Sequence, residues 1–547
     1  MSGFIKRIIC LSLCAVLLSA LCSCNKAGNT ESVALKVGVS GMTGNFNPFY
    51  ATESGDVTVN SLLFDSLQSV RGETHKNNAG SITYKVMADG TVSYTVTVEP
   101  GLVFSDGTPV TIDDVIFFYY FISDATYKGV YSDFYLNDIA GLKEYYYDDP
   151  DYSSSGITPG SEGEKAYINA NYSDEIKVKE ISGIKRVDDY TCTVLYNTPS
   201  LSALSELNAV IVSSARYGAN YIKGGAQAVE SIRTPVGSGA YFIDDYKSGK
   251  ANLRVNNYIE PRPYFKELDM IETPDEDQPS ALANGKLDVI SVRATAAAMS
   301  VLKNDNIFVS LSDETRYYTV FFNTATLPDE EIRRSLMADF SDYSALDEYA
   351  GEYYTKLYLP LSLNYTLADR RSAPYYLSEV FSVDMTALGL TLNAVYPQED
   401  YAGELILKSY SAQLSSYGVN LQIIPAALSD IYSGSASAGA DLILVPTEDG
   451  GSISKYDYYN SAGNKNYFHF SSPLADALTL SISSAIGYGD YRTPSAELLD
   501  HIMKSCVELP ICQFQTVIAV NLSAVSENAV DSLPSAYSLS EIITALY

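Results

Sequence analysis

The stretch Thr91–Ser123 constrains the local fold more tightly than any other part of this sequence. Over Val92–Val98, apolar residues alternate with serine and threonine, a pattern that predicts a half-buried strand. Pro100-Gly101 and then Ser105-Asp106-Gly107 are turn sequences, in which glycine supplies the backbone freedom that a tight reversal requires. The sequence therefore predicts a strand followed by two turns.

A capped helix is predicted directly after these turns. Thr111, with Asp114 three residues later, forms a capping-box pattern in front of the apolar run Val115–Ile122. The whole strand–turn–turn–helix run resembles a signature of the extracellular solute-binding proteins of family 5, the oligopeptide- and dipeptide-binding lipoproteins of ABC importers. Turns and a cap explain the polar residues of the run, so the resemblance identifies a family without marking a site.

Further segments resemble the same family along most of the chain. They are Phe46-Asn47-Pro48, Thr234–Tyr241, Ala281–Asp288 and the strand and helix within Tyr317–Phe340, where Arg333 or Arg334 holds the family's arginine place. The resemblance implies a mixed α/β, two-lobed fold of the periplasmic-binding-protein type (type II, large peptide-binder class), with an extra subdomain in the first lobe. No G-x-G-x-x-G or G-x-x-x-x-G-K-[ST] pattern occurs, so ATP hydrolysis would belong to a partner.

The length predicts more than one domain, because about 524 residues after a leader exceed what one hydrophobic core supports. The resemblance implies a lobed division of the chain. The predicted ranges are 1–23 for a lipoprotein signal peptide, 24–32 for a tether, 33–60 and 181–291 for the first lobe, 61–180 for its extra subdomain, 292–508 for the second lobe and 509–547 for a return to the first lobe.

Several elements outside the signature are predicted from pattern alone. A β-α-β unit is expected over Leu390–Ile424, where two apolar strands flank an amphipathic helix. A later helix is expected over Pro494–Val507, with Thr493 as its cap and proline at its first position. Tyr145–Lys177 is rich in Tyr, Asp, Ser and Gly without periodicity, which predicts a long insertion loop.

The first 24 residues are typical of an export leader. Lys6-Arg7 precede the apolar run Ile8–Leu21, which is too short to span a bilayer. Leu21-Cys22-Ser23-Cys24 resembles a bacterial lipobox, which implies that Cys24 is lipidated and holds the protein on the outer face of the cytoplasmic membrane. An ordinary secretory signal with incidental cysteines and an uncleaved anchor are the alternatives.

Charge and composition exclude several classes of partner and site. The formal net charge is −30, which repels nucleic acid and anionic lipid headgroups, so neither is expected as a partner. Three scattered histidines provide no metal-ligand spacing, and no metal or cofactor is expected. Outside the leader only Cys192, Cys506 and Cys512 remain. They are expected as small buried residues, although a Cys506–Cys512 bridge is possible in an exported protein.

The resemblance implies that the two lobes close on a solute, with ligand contacts in the second lobe. Asp449 holds roughly the place of an aspartate that commonly pairs with a peptide's α-ammonium group, whereas a solvated turn is the alternative for Glu448–Gly451. The family's tryptophan just before it is missing, because the chain contains no tryptophan.

Further ligand-binding candidates are aromatic and amide residues. Tyr317, Tyr318 and Asn323 occupy a stretch that lines the ligand channel in the family, and Phe46 with Asn47 are first-lobe candidates. Core packing is the alternative for the tyrosines, since the chain contains 45 of them, and a turn is the alternative for Phe46 and Asn47. Asn466, Tyr467 and Phe468 resemble a run after the family's ligand loop, with the same two alternatives.

The sequence favours a binding protein over an enzyme. Ser452–Lys455 matches the S-x-x-K pattern of acyl enzymes, but Ser182–Lys185 matches it too, and no G-x-S-x-G or H-E-x-x-H pattern occurs. The resemblance therefore implies a monomeric receptor that delivers peptides or a similar small solute to an ABC permease with its ATPase subunits. The alternatives are another solute, such as an oligosaccharide or a metal chelate, and an envelope sensor without transport.

Overall fold

The computed structural model describes residues 34–71, 74–159, 161, 163–172, 175–365, 385–448, 455–486, 488–525 and 538–546. Within these residues the strands are β1 Leu35–Val39, β2 Gln68–Arg71, β3 Thr74–Asn77, β4 Gly80–Val86, β5 Val92–Val98, β6 Ile184–Arg186, β7 Thr191–Tyr196, β8 Tyr241–Lys247, β9 Lys250–Val255, β10 Glu267–Glu272, β11 Val289–Arg293, β12 Ile307–Asp313, β13 Arg316–Phe322, β14 Tyr354–Lys356, β15 Thr391–Pro397, β16 Asn420–Ala426, β17 Leu442–Glu448 and β18 Glu508–Asn521.

Helices alternate with these strands through most of the chain. They are α1 Ser54–Leu63, α2 Ile112–Ile122, α3 Leu142–Tyr147, α4 Glu164–Asn171, α5 Ala203–Glu206, α6 Ser214–Tyr217, α7 Gln227–Glu230, α8 Gln278–Ala283, α9 Ala296–Leu302, α10 Glu330–Asp339, α11 Ser344–Ala350, α12 Met385–Leu388, α13 Tyr401–Ser416, α14 Leu428–Tyr432, α15 Tyr456–Tyr459, α16 Pro473–Ser483, α17 Tyr488–Ser505 and α18 Leu539–Ala545. The predicted mixed α/β class is confirmed.

The signature stretch forms the elements that its pattern predicts. Alternate residues of β5 are buried, and α2 begins with a capping box in which the Thr111 backbone N–H donates to Asp114 at 2.9 Å. The other carboxylate oxygen of Asp114 accepts from the Ser214 N–H at 2.8 Å, so the cap also ties α2 to α6. These residues are scaffold, as the sequence indicates.

A twelve-stranded sheet passes through the molecule, and β18 is its central strand. Residues 515–521 of β18 pair with β12, and residues 516–520 also pair with β11. The other half of β18 pairs with β13 and β14. One strand therefore belongs to two parts of the sheet.

The two halves of β18 contribute to different hydrophobic cores. Ile518 and Val520 pack with β1, β10 and β11 in a core that also contains the signature strand β5. Leu509 and Ile511 pack with β13, β15 and α13 in another. The position where β18 passes from one core to the other is called the crossing below.

The β-α-β prediction is confirmed, and its helix is held in place by its cap. β15 and β16 are parallel, and α13 connects them. Asp400 accepts the Gly403 N–H at 3.1 Å, and Leu407, Tyr410 and Leu414 are buried along the inner face of the helix.

The prediction of a loop over Tyr145–Lys177 was wrong, because the segment contains helices packed by tyrosine rings. The Tyr147 ring stacks on Tyr152 with 4.3 Å between centroids, and the Tyr147 hydroxyl donates to Glu164 at 2.6 Å. Aromatic stacking of this kind leaves no helical hydrophobic period in the sequence, so the periodicity test missed it.

The predicted start of the helix near the C-terminal end was also wrong, whereas the expectation of buried cysteines is confirmed. Helix α17 begins by Tyr488, ahead of the expected cap, and Pro494 lies inside it. A proline removes one backbone hydrogen bond, and here the helix continues on both sides of it. Cys506 and Cys512 are separate buried thiols with no bridge between them.

Candidate functional site

A cavity of 330 Å³ lies beside the crossing. Its lining includes residues from the four strands β11, β12, β13 and β18 and from the segment that connects β12 to β13, among them Ser291, Arg293, Ser312, Glu314, Arg316 and Thr516. In the register of the sheet, Thr516 lies directly opposite Arg293 on one side and Ser312 on the other. Residues opposite each other on neighbouring strands point to the same face, so hydroxyl and guanidinium groups share one polar surface.

Arg293 is the central charge of this surface. Its Nε and Nη2 donate to the two carboxylate oxygens of Glu314 at 2.7 and 2.9 Å, a fork-to-fork ion pair. Its Nη1 donates to the Tyr318 hydroxyl at 3.3 Å, and its guanidinium carbon lies 4.6 Å from the centre of the Phe514 ring. Guanidinium groups bind carboxylates and aromatic faces in this way, so the arginine is held on several sides.

Tyr318 extends this network into the second core. Its hydroxyl donates to Asp400 at 2.8 Å, and Asp400 caps α13. Burial raises the pKa of Tyr318, while Arg293 acts in the opposite direction, so the phenol stays protonated and can donate. For Arg293, burial opposes the charged form, but Tyr318 and Glu314 outweigh it, and the pKa of the guanidinium is raised.

A second polar cluster lies at Tyr317, on the opposite face of β13. Tyr317 is fully buried, and its hydroxyl accepts from the Lys455 ammonium at 3.0 Å. The same hydroxyl lies 3.2 Å from the Pro360 carbonyl oxygen and 3.4 Å from Oε1 of Glu508. The two neighbouring tyrosines of β13 therefore serve two different networks.

Acidic side chains occupy the backbone loop that follows β1. Glu272 accepts the Gly41 N–H at 3.1 Å, and Asp56 accepts the Thr43 and Gly44 N–H groups at 2.9 Å each. These donors would otherwise form an anion-binding concavity. Since the protein's own carboxylates occupy them, the loop offers little attraction to a ligand anion.

Three of the predicted ligand-binding residues are buried with internal partners. Asn47 donates to the Val229 carbonyl at 2.8 Å, and Asn323 donates to the Ala440 carbonyl at 2.9 Å. The Phe46 ring packs edge-on against Tyr246 with 5.4 Å between centroids. The structure brings Tyr317 and Tyr318 next to the crossing but does not bring Phe46, Asn47 and Asn323 to it.

Asp449 and Ser452 lie outside the described residues. Glu448, which precedes Asp449, lies opposite Arg316 in the pairing of β17 with β13, and Arg316 lines the cavity. In the run after that segment, the Phe468 ring stacks on Phe321 with 4.6 Å between centroids and the Asn466 amide donates to the Phe470 carbonyl at 2.6 Å. That run packs internally.

Sequence reasoning missed Arg293, Glu314 and Asp400. The one available signal was a charged residue at the end of an apolar run, Val289–Arg293, which pattern analysis treats as an ordinary strand end. Among the residues that the structure describes, no group of His, Cys, Asp and Glu side chains could hold a metal ion, and no helix is long and apolar enough to cross a membrane.

Comparison with known proteins bears on both sequence and fold. The oligopeptide-binding protein AppA of Bacillus subtilis is 23% identical over 381 residues, a match that covers 65% of this chain and spans 61% of AppA's length. The solved structure of AppA in complex with a nonapeptide superimposes with a TM-score of 0.65 at 18% identity, covering 89% of this chain and 94% of AppA.

Two other solved structures share the fold over nearly their whole length. The ABC transporter substrate-binding protein CtaP of Listeria monocytogenes matches with a TM-score of 0.70 at 19% identity, covering 94% of this chain and 99% of CtaP. NikA of Brucella suis, in complex with Fe(III)-EDTA, matches with the same TM-score at 13% identity and the same coverage. The predicted two-lobed fold is thereby confirmed.

A family model supports the assignment that the sequence motifs suggested. The model for the bacterial extracellular solute-binding proteins of family 5 matches residues 76–437, which is more than half of the chain. Members of this family bind solutes and are not enzymes. The chain belongs to the bacterial extracellular solute-binding proteins of family 5.

Proposed function

We propose that this protein captures a peptide, or a similar small solute, between its two lobes and delivers it to an ABC permease with its ATPase subunits. The observation that carries the proposal is the crossing. One strand, β18, serves two separate cores, and a polar cavity lies where it passes between them. Two bodies joined through a short shared region can rotate about it, as hinge closure requires.

Closure follows from differential affinity for the solute. A ligand that contacts both lobes binds the closed arrangement more tightly than the open one, so its presence shifts the population toward closure. Relatives support a peptide as the first candidate, since AppA was solved with a nonapeptide and DppA of Helicobacter pylori with the peptide STSA. An extended peptide held by main-chain hydrogen bonds leaves its side-chain sequence largely free.

Within this proposal some of the predicted site residues contact the ligand and others support the lobes. Asp449 would pair with the α-ammonium group of the peptide. Tyr317 and Tyr318 would form part of the wall near the crossing. Phe46, Asn47 and Asn323 would stabilise the packing within each lobe and would not contact the ligand, because their contacts in the structure are internal.

The cellular setting is proposed on the leader and on the family. The family is extracellular, so the protein is exported. Lipidation at Cys24 would attach it to the outer face of the cytoplasmic membrane, and we propose that it acts there as a monomer. The lobe boundaries belong to the same proposal: the sequence suggested positions near residues 291 and 508, and with β11 and β12 paired to the first-core half of β18 we propose them between β12 and β13 and within β18. No catalytic step is proposed, so the solute would leave the protein unchanged.

A ligand screen by thermal unfolding tests the proposal. Peptides, oligosaccharides and metal chelates are added separately, and a ligand at one hundred times its dissociation constant should stabilise the fold by about 2.7 kcal/mol. Stabilisation by peptides supports the proposal, whereas stabilisation by another class alone replaces the peptide with that solute. If no class raises the melting temperature, the protein is not a solute receptor, and an envelope sensor becomes the better hypothesis.

A variant pair then tests the predicted anchor. Asp449→Asn should reduce stabilisation by peptides with a free amino terminus and leave stabilisation by amino-acetylated peptides unchanged. Asp430→Asn, which alters an exposed carboxylate elsewhere in the second lobe, is the matched control. An equal response of both variants would remove Asp449 from the site, and a trapped peptide recovered in cleaved form would contradict a purely binding function.

A further inference from the structure

Arg293 joins the two lobes through its side chain, in addition to the backbone strands that connect them. It ends β11, a strand whose Val289 packs in the first core with β1 and β10. Its guanidinium group lies against Tyr318 and Phe514, both of which pack in the second core. A single side chain thus extends from one lobe into the other.

The partners of Arg293 lie on both chain segments that run between the lobes. Glu314 lies between β12 and β13, the first of these segments, and Phe514 lies within β18, the second. The two segments are also bonded to each other, because the Glu314 N–H donates to the Phe514 carbonyl at 2.9 Å. Arg293 therefore contacts each segment at the point where the two meet.

Glu314 is fixed in its position by more than the ion pair. The Asn364 amide donates to the Glu314 carbonyl at 3.1 Å, and the Gln513 amide donates to the same oxygen. The Glu314 side chain is 14% exposed and the Arg293 side chain 28%. A carboxylate so placed, with its backbone held at both N–H and C=O, presents a fixed target to the guanidinium group.

On the second-lobe side the network ends at a helix terminus. Tyr318 accepts from Arg293 and donates to Asp400, which in turn accepts the Gly403 N–H of α13. The orientation of Arg293 is therefore linked, through two side chains, to one of the main helices of the second lobe.

We propose that Arg293 is the pin of the hinge, a positioning residue that holds the axis of lobe rotation in one place. The proposal rests on the proposed closure of the lobes. Its partners lie on or next to the connecting segments, where atoms move least when two bodies rotate about them. The ion pair can therefore persist in open and closed arrangements, unlike a latch between residues remote from the axis.

Distance measurements between the lobes test this role without any ligand. p-Azidophenylalanine replaces Lys85 in the first lobe and Gln422 in the second, since both positions are exposed. A nitroxide spin label is then coupled to each azide group. Pulsed electron paramagnetic resonance then gives the distribution of distances between the labels. We expect Arg293→Met to broaden the distribution to about twice its wild-type width, because removing one member of a shielded ion pair disrupts its surroundings.

Matched variants separate this role from a general loss of stability. Arg293→Lys keeps the positive charge but loses the two-pronged contact with the carboxylate. We expect its distance distribution to be wider than that of the wild type and narrower than that of Arg293→Met. Arg254→Met removes an exposed, ion-paired arginine of the first lobe and should leave the width unchanged. A folded Arg293→Met protein with the wild-type width overturns the proposal.

A milder variant keeps the test open if Arg293→Met does not fold. Tyr318→Phe removes only the hydroxyl between Arg293 and Asp400, and we expect a smaller broadening, so an unchanged width then overturns the proposal. Because no solute is added, these outcomes do not depend on which ligand the protein binds. Failure of every solute to shorten the distance in the wild-type protein would instead count against the proposed function.

Discussion

Two arginines of this protein, the buried Arg333 and the partly buried Arg293, are held in opposite ways. Among the described residues, the partners that Arg333 on α10 donates to are backbone carbonyls, those of Leu327, Pro328, Ser505 and Cys506, at 2.7 to 3.1 Å. Arg293 at the crossing is held by side chains, namely a carboxylate, a phenol and an aromatic ring. The carbonyls lie within the second lobe, whereas the side chains around Arg293 lie where the two cores meet.

The pKa values of the two guanidinium groups are shifted in opposite directions. Burial lowers the pKa of the Arg333 guanidinium, while nearby groups offset only part of that effect. The pKa of Arg293 is raised, because Tyr318 and Glu314 outweigh its burial. One arginine therefore joins segments inside a lobe, and the other joins segments on both sides of the crossing.

The largest expected effect is at Arg333. Arg333→Met leaves four carbonyl groups without their donor, so we expect the free energy of unfolding to fall by about 3–5 kcal/mol, measured by urea denaturation. Arg254→Met is the control, since Arg254 is exposed and pairs with the exposed Asp244, so its loss should cost about 1 kcal/mol or less. Similar losses in the two variants would show that the backbone contacts of Arg333 do not stabilise the fold more than a surface ion pair does.

The next effect tests the coupling at the crossing. A double-mutant cycle of Arg293→Met and Glu314→Gln should give a coupling energy of about 1–3 kcal/mol, because both side chains are shielded from water. The exposed pair Arg254 and Asp244 should give less than about 1 kcal/mol in the same measurement. Equal coupling in the two cycles would show that shielding at the crossing does not matter.

Asp65 is a partly buried acid whose hydrogen-bond partners are Ser238 and Asn78. Burial raises the pKa of Asp65 to about 6, and hydrogen bonds from Ser238 and Asn78 offset part of the shift. A raised acid pKa means that stability is highest with the acid protonated and falls as pH rises through about 6. Asp65→Asn should therefore stabilise the protein by up to about 3 kcal/mol at neutral pH and by little at about pH 4.

Urea denaturation of Asp65→Asn and of the wild type across that pH range gives the measurement. If the two proteins showed parallel pH profiles, Asp65 would have an ordinary pKa in the folded state, and its burial would carry no electrostatic cost.

The smallest effect concerns the signature helix. Thr111→Ala removes the capping side chain of α2 and should cost about 1 kcal/mol of unfolding free energy, measured by thermal or urea unfolding. Thr52→Ala, at an exposed position, should change stability by less than about 0.5 kcal/mol. A change of similar size in both variants would argue that the cap does not stabilise the helix.

Sequence patterns were sufficient where one local rule decides the structure. Alternation at Val92–Val98, the capping box at Thr111 and the β-α-β unit of α13 all formed as predicted, because period and cap chemistry are written in neighbouring residues. Resemblance also placed an arginine at Arg333 or Arg334, and the structure shows that Arg333 is the buried one.

Contacts between distant residues were beyond such patterns. The partners of Arg293 come from β13, β18 and the segment between β12 and β13, so no spacing in the sequence relates them. The tyrosine stacking around Tyr147 likewise depends on rings that meet only after folding. The proposed roles of Asp449 and Cys24 remain predictions, since both lie outside the described residues.

The late position of β18 in the chain has a consequence for biosynthesis. Both cores need this strand as an inner member of their sheet, yet it occupies residues 508–521 of 547. Neither half of the polypeptide can complete its sheet while the ribosome or the export channel still holds that strand. The nascent chain therefore stays incompletely folded until this strand is released, which suits an exported protein that is threaded across a membrane before it folds.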